Sequence, residues 1–240
     1  MKLAVFDIDG TLCRTSRVDD LCLQEAVAAT WGIHDMPTDW GSYTHSTDRA
    51  ITSDLFRMKF SRDPSPDDLE VVRSEFMSRL MHWADTDPAL FQSTPGAGLM
   101  LSSISDHGWM PAIATGGWRS SALMKLGRCG LDADSIPAAF ADDAMPRSRI
   151  VEIACGRALE IHRVESFDQI VYVGDGLWDM KAAEECRIGF LAIAAGERAD
   201  LFRDTGRCDV LPDFQDLDAF VSGIENACSM ARDRTRSRMK

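Results

Sequence analysis

Residues 2–12 read Lys2-Leu3-Ala4-Val5-Phe6-Asp7-Ile8-Asp9-Gly10-Thr11-Leu12. An apolar run ends in Asp-x-Asp, and a glycine follows. A buried carboxylate must be paired, hydrated or bound to a cation, so a plain buried strand does not finish this way. At the carboxyl end of a strand, two such acids stand where open α/β sheets bind ligands. One of them can serve as nucleophile and metal ligand, the other as acid and base. The competing reading is a turn, since Asp-Gly is a common turn pair. The rest of the chain decides between the two.

Two later segments repeat the pattern. Met110 to Ala114 reads as a strand ending in Thr115-Gly116-Gly117, and Ile170 to Val173 as one ending in Gly174-Asp175-Gly176, with Asp179 close behind. Between and after them, helical stretches (Leu99–Ile104, Ser120–Leu126, Arg149–Leu159, Met180–Glu185) alternate with short strands at Ala138–Ala141, Phe190–Ala194 and Val210–Leu211. Such alternation implies an α/β fold, a doubly wound parallel sheet covered on both faces. All strands of such a sheet point the same way, which brings Asp7, Asp9, Thr115, Gly116, Asp175 and Asp179 to one rim.

The first strand is separated from this alternation by a different kind of text. Leu21, Leu23, Ala26, Val27 and Trp31 recur at helical spacing, as do Ile51, Leu55 and Met58, and Leu69, Val72, Phe76 and Leu80. Ser65-Pro66-Asp67-Asp68 reads as the start of the third of these helices. The expected organisation is a core over residues 1–13 and 91–225, an inserted helical cap over 14–90, and a flexible basic tail over 226–240, where Arg232 to Arg238 alternates charge with small polar residues.

A chain of 240 residues, 45% hydrophobic, can bury one core and a smaller insert. Its net charge of -12 argues against nucleic acid or an anionic membrane as the main partner. No apolar run approaches the roughly 20 residues of a membrane span, and the expected setting is the cytoplasm. Seven scattered cysteines without a Cys-x-x-Cys pair fit reduced thiols.

Four carboxylates on one rim repel one another unless a divalent cation sits among them. An all-oxygen donor set favours Mg²⁺. Magnesium bound by few carboxylates keeps positions for phosphate oxygens, so a phosphate ester is the natural substrate. Asp7-Ile8-Asp9-Gly10-Thr11, Thr115-Gly116, Arg147 and Gly174-Asp175-Gly176-Leu177-Trp178-Asp179 resemble, in order and spacing, the four motifs of the haloacid dehalogenase superfamily. The helical insert sits where that family carries its type C1 cap. The chain looks most like the phosphoglycolate-phosphatase branch, which acts on small phosphorylated metabolites.

The resemblance implies roles. Asp7 would attack phosphorus and form an aspartyl-phosphate, and Asp9 would protonate the leaving oxygen and then deprotonate water. Thr115 and the Gly116 amide would hold the phosphoryl group, and Arg147 would neutralise its charge. Mg²⁺ would be held by the Asp7 side chain, the Asp9 backbone carbonyl, Asp175 and Asp179. The third motif is usually a lysine, and none lies between Lys125 and Gly174. Arg147 is the first choice for it and Arg149 the second. Thr47 and Asp48, in the polar and aromatic stretch from Thr38 to Asp48, are expected to face the leaving group. The competing reading makes them a helix N-cap, and the same reading applies to Thr115. Asp179 is also explained by a helix dipole. A mutase would use the same aspartates. A phosphonatase would need a cap lysine, for which only Lys59 is available. A non-catalytic domain of the same fold is disfavoured by the intact Asp7 and Asp9.

Overall fold

The computed structural model describes residues 1–238. Six parallel strands form one sheet: β1 (Lys2–Phe6), β2 (Trp109–Ala114), β3 (Ala138–Ala139), β4 (Gln169–Gly174), β5 (Gly189–Ile193) and β6 (Asp209–Leu211), in the order β3-β2-β1-β4-β5-β6. This is the doubly wound arrangement expected from the alternation. β1 lies between β2 and β4, with Phe6 opposite Ile113 and Val173. The chain crosses from one side of β1 to the other on reaching β4, and such a switch point leaves a crevice at the carboxyl ends of the strands.

Both faces of the sheet are buried, so its strands are near-continuous apolar runs. On one face Phe6, Ile113 and Leu191 pack with α4 (Ala97–Ser103), α5 (Arg119–Arg128) and α9 (Leu217–Arg238). On the other, Val5, Tyr172 and Phe190 pack with α6 (Arg147–His162), α7 (Leu177–Cys186) and α8 (Glu197–Thr205). A third apolar cluster belongs to the inserted helices α1 (Ser16–Trp31), α2 (Asp48–Phe60) and α3 (Pro66–Thr86). Leu23, Val27, Leu55, Phe56, Phe76 and Leu80 fill it, and Trp118 joins it from the core side. Most of the stripe read from the sequence is the inner face of these three helices, but Leu21 and Met58 are exposed, and Cys22 and Phe56 are buried beside them instead. α3 opens with a capping box: Asp68 N donates to Ser65 Oγ at 3.2 Å, and Ser65 N donates to Asp68 Oδ2 at 2.7 Å.

Two C-terminal helices depart from the sequence expectation. α8 buries only Ala199 and Phe202, too few apolar positions to declare a period. α9 runs through Arg238, so residues 226–238 of the expected tail are helical. Just before the alternating charges, Phe220, Ile224, Ala227, Cys228 and Ala231 are buried at helical spacing. Gly189 permits the approach: a Cβ there would lie 2.9 Å from the Ala227 carbonyl carbon and the Cys228 nitrogen. Residues 239 and 240 of the expected tail lie outside the described ones.

Candidate active site

The strand ends converge as their register requires. Asp7 follows β1, and its amide donates to the Val173 carbonyl at 2.9 Å. Thr115 follows β2, and Asp175 follows β4. All three are buried, with Asp7 at 2%, Thr115 at 1% and Asp175 at 3% exposure. Asp179 is fully buried in the first turn of α7, where its Oδ2 accepts from the Gly176 amide at 3.0 Å. One of its oxygens thus serves the helix end, while Oδ1 faces the site. Asp7, Thr115 and Asp175 line one open cavity together with the cap's Asp19, Asp20, Trp40, Ser46, Thr47 and Asp48.

Arg147 ties the acids together. Its Nη1 donates to Asp179 Oδ1 at 2.5 Å and to Asp7 Oδ1 at 3.2 Å, and its Nε donates to the Ser46 carbonyl at 3.3 Å. A cation in the first turn of a helix opposes the dipole, and the acids opposite offset that cost. Arg149, the second choice for the third motif, is exposed and pairs with Glu152. Gly116 makes room for the guanidinium. A Cβ there would collide with Arg147 and sit 2.7 Å from the Ser46 carbonyl oxygen. Gly10, at φ +80°, plays the same part beside Asp175, whose carboxyl would overlap any side chain at that position.

Carboxylate oxygens of Asp7, Asp175 and Asp179 lie within 4.8 Å of one another, a spacing that can hold a metal ion. Burial pushes the Asp7 carboxyl up to about 7 against the opposing pull of Arg147, and Asp179 and Asp9 add to the rise. Burial also holds Asp175 well above the usual carboxylate range, although Arg198 opposes it. Even with two arginines present, the pocket is short of positive charge. Hard oxygen donors with that deficit fit a divalent cation such as Mg²⁺. The Asp9 side chain stands outside this trio. Its Oδ1 accepts from Thr15 Oγ1 at 2.6 Å and its Oδ2 from Lys125 Nζ at 2.5 Å.

A family model for haloacid dehalogenase-like hydrolases matches residues 1–187. The chain belongs to the haloacid dehalogenase-like hydrolases. No curated protein matches its sequence. Among solved structures it is similar to a hydrolase from Pseudomonas syringae, at TM-score 0.70 and 19% identity, with 93% of this chain and 99% of that one covered. CbbY from Rhodobacter sphaeroides, solved in complex with phosphate, is similar at TM-score 0.62 and 21% identity, over 90% of this chain and 95% of that one. A predicted phosphoglycolate phosphatase from Haemophilus somnus aligns at TM-score 0.54 and 17% identity, over 92% and 97%.

The structure of this haloacid dehalogenase-like hydrolase brings Asp7, Asp9, Thr115, Gly116, Arg147, Asp175 and Asp179 around one cavity, although Asp179 sits behind Arg147 rather than on the cavity wall. Thr47 and Asp48 line it too, but both are also at work locally. The Thr47 hydroxyl caps α2 through the Ala50 amide and donates to the Met145 carbonyl at 2.9 Å. Asp48 Oδ2 accepts from the Trp118 amide at 3.0 Å, and the Asp48 amide donates to the Gly116 carbonyl at 2.8 Å. These bonds stitch the cap to the Thr115 loop. Lys59 is exposed, contacts the Gly32 carbonyl and does not line the cavity.

Besides the cap acids Asp19 and Asp20, which line the cavity without any sequence signal, the site holds Tyr172, Arg198 and Lys125, none of them expected from the sequence. Tyr172 is buried in β4, with its hydroxyl 3.0 Å from Asp179 Oδ1 and 3.3 Å from Arg147 Nη1. Arg198, on α8, contacts Asp175 Oδ2. Lys125, on α5, bonds Asp9 and Asp19. Tyr172 was detectable as a hydroxyl within an otherwise apolar strand. Arg198 and Lys125 carry no local signal, because a lysine or arginine on a helix ordinarily reads as a solvated face.

Proposed function

We propose that this hydrolase cleaves small phosphate monoesters with Mg²⁺, through an aspartyl-phosphate on Asp7. The observation that carries the reading is the buried Asp7 carboxyl at the floor of the cavity. It has Arg147 and two further acids on one side and the Thr115-Gly116 loop on the other. A buried carboxylate with its own guanidinium is equipped to attack an electrophile that carries negative charge. Phosphate bound to CbbY is a ligand of the same class.

In this mechanism an Asp7 oxygen bonds to phosphorus as the bond to the leaving oxygen breaks. Asp9 delivers the proton that the leaving oxygen needs, then takes one from the water that cleaves the acyl-phosphate. Thr115 and the Gly116 amide hold phosphoryl oxygens, and Arg147 offsets their charge. Asp7, Asp175 and Asp179, with the Asp9 backbone carbonyl, would hold the magnesium. Its chemistry when bound is charge neutralisation at the transferring phosphoryl group. The cap side of the cavity, with Trp40, Thr47 and Asp48, would meet the leaving group.

The test is hydrolysis of 4-nitrophenyl phosphate with Mg²⁺, with EDTA, and by Asp7→Asn. Turnover that needs the metal and vanishes in the variant is expected. Turnover that persists in a folded Asp7→Asn protein would sink the proposal.

A further inference from the structure

Lys125 is a lysine with no exposed side-chain surface. An ammonium is buried only where it is paired, because leaving water is expensive. Here it is paired twice. Nζ donates to Asp9 Oδ2 at 2.5 Å and also to Asp19 Oδ1. The other Asp9 oxygen accepts from Thr15 Oγ1 at 2.6 Å, and the Asp19 amide donates to the Thr15 carbonyl at 2.9 Å. Asp9, Thr15, Asp19 and Lys125 therefore close a ring. Its members come from the loop after β1, the start of the cap helix α1 and the core helix α5. Two donors, one on each oxygen, fix the carboxyl plane of Asp9, and Asp19 fixes the donor. A lysine suits this position, because its flexible stem spans the distance from α5 and its ammonium can serve two acceptors at once.

We propose that Lys125 is a positioning residue that, held by Asp19, aims the Asp9 carboxyl at the leaving oxygen. The inference rests on the phosphatase reading above, in which Asp9 transfers the proton. If Lys125 merely fastened α1 to α5, its loss would slow every substrate alike. If it aims Asp9, its loss hurts most where the leaving group most needs a proton. Phenyl phosphate and 4-nitrophenyl phosphate have nearly the same shape, and the phenolate is the more basic of the two leaving groups. kcat/KM reports only the steps up to departure of the leaving group, so it reads this proton transfer even when hydrolysis of the acyl-phosphate limits kcat.

The experiment compares kcat/KM for both esters, with Mg²⁺, in the wild type and in Lys125→Met, a side chain of similar length without the charge. The ratio of the 4-nitrophenyl to the phenyl ester is expected to rise at least about fivefold in the variant. Equal losses on both esters, or no loss, would overturn the proposal. Should Lys125→Met fail to fold by circular dichroism, the Lys125→Met/Asp19→Asn protein, which removes one charge of each sign, faces the same criterion. A wild type that hydrolyses neither ester would sink the phosphatase reading itself. Failure of the positioning role alone requires an active wild type and an unmoved ratio.

Discussion

Arg147 is the residue on which the site's electrostatics turn. It stands between two buried carboxyls, Asp7 and Asp179, and reaches the Ser46 carbonyl on the cap side. Arg147→Met removes the shared cation and leaves both acids buried together. Activity on 4-nitrophenyl phosphate should fall about a hundredfold or more, the usual loss for a group that stabilises developing charge. The metal-free protein should also melt at a lower temperature than wild type, with Mg²⁺ restoring more of the difference than it adds to wild type. Melts with EDTA and with Mg²⁺ check this, and activity within tenfold of wild type would count against the assignment. Gly116 offers a cleaner perturbation, since a methyl group there pushes on Arg147 and on the Ser46 carbonyl. Gly116→Ala is expected to lower kcat/KM at least about tenfold, in line with the sensitivity of catalysis to small misplacements.

At the scale of elements, the start of α3 can be tested apart from the chemistry. The Ser65 and Asp68 side chains satisfy each other's backbone amides, and neither lines the cavity. Ser65→Ala should cost about 1 kcal/mol, read as a fall in Tm of about 2–4 °C for a protein of this size. Hydrolysis of the aryl ester should be unchanged. Elements with dense apolar spacing, such as the cap helices, and strands that end in polar groups, such as β1 and β4, were legible in the sequence. α8 was not, because two buried residues do not make a period. α9 was masked by charges whose apolar neighbours only the sheet reveals. Asp48 shows a subtler limit. A cap-forming Thr47-Asp48 could be read locally, but the bond from the Trp118 amide to Asp48 joins residues 70 positions apart.

At the scale of the whole molecule, the acid excess has a pH signature. Burial pushes Asp7 and Asp48 up to about 7, and Asp20 up to about 6, from an ordinary 3.8. The folded chain therefore holds protons that the unfolded chain has released between about pH 4 and pH 7. Stability falls as pH rises wherever the native state binds more protons. The metal-free protein should lose Tm from pH 5 to pH 7, and saturating Mg²⁺ should flatten the slope by taking the place of protons near Asp7. A Tm that is flat or rises over that window in EDTA would contradict the burial argument. The sequence by itself determined the acid-bearing strand ends, the parallel α/β plan and the inserted helices, because each is written in contiguous residues with a fixed period. Arg147 was legible through the motif resemblance, and only the tertiary structure set Arg149 aside and decided that Lys125 and Arg198 serve the other acids. Lys125 meets Asp9 across 116 positions, Arg147 meets Asp7 across 140, and Arg198 meets Asp175 across 23. A charge on a helix declares no partner until the sheet and cap have closed around it and burial makes that partner obligatory.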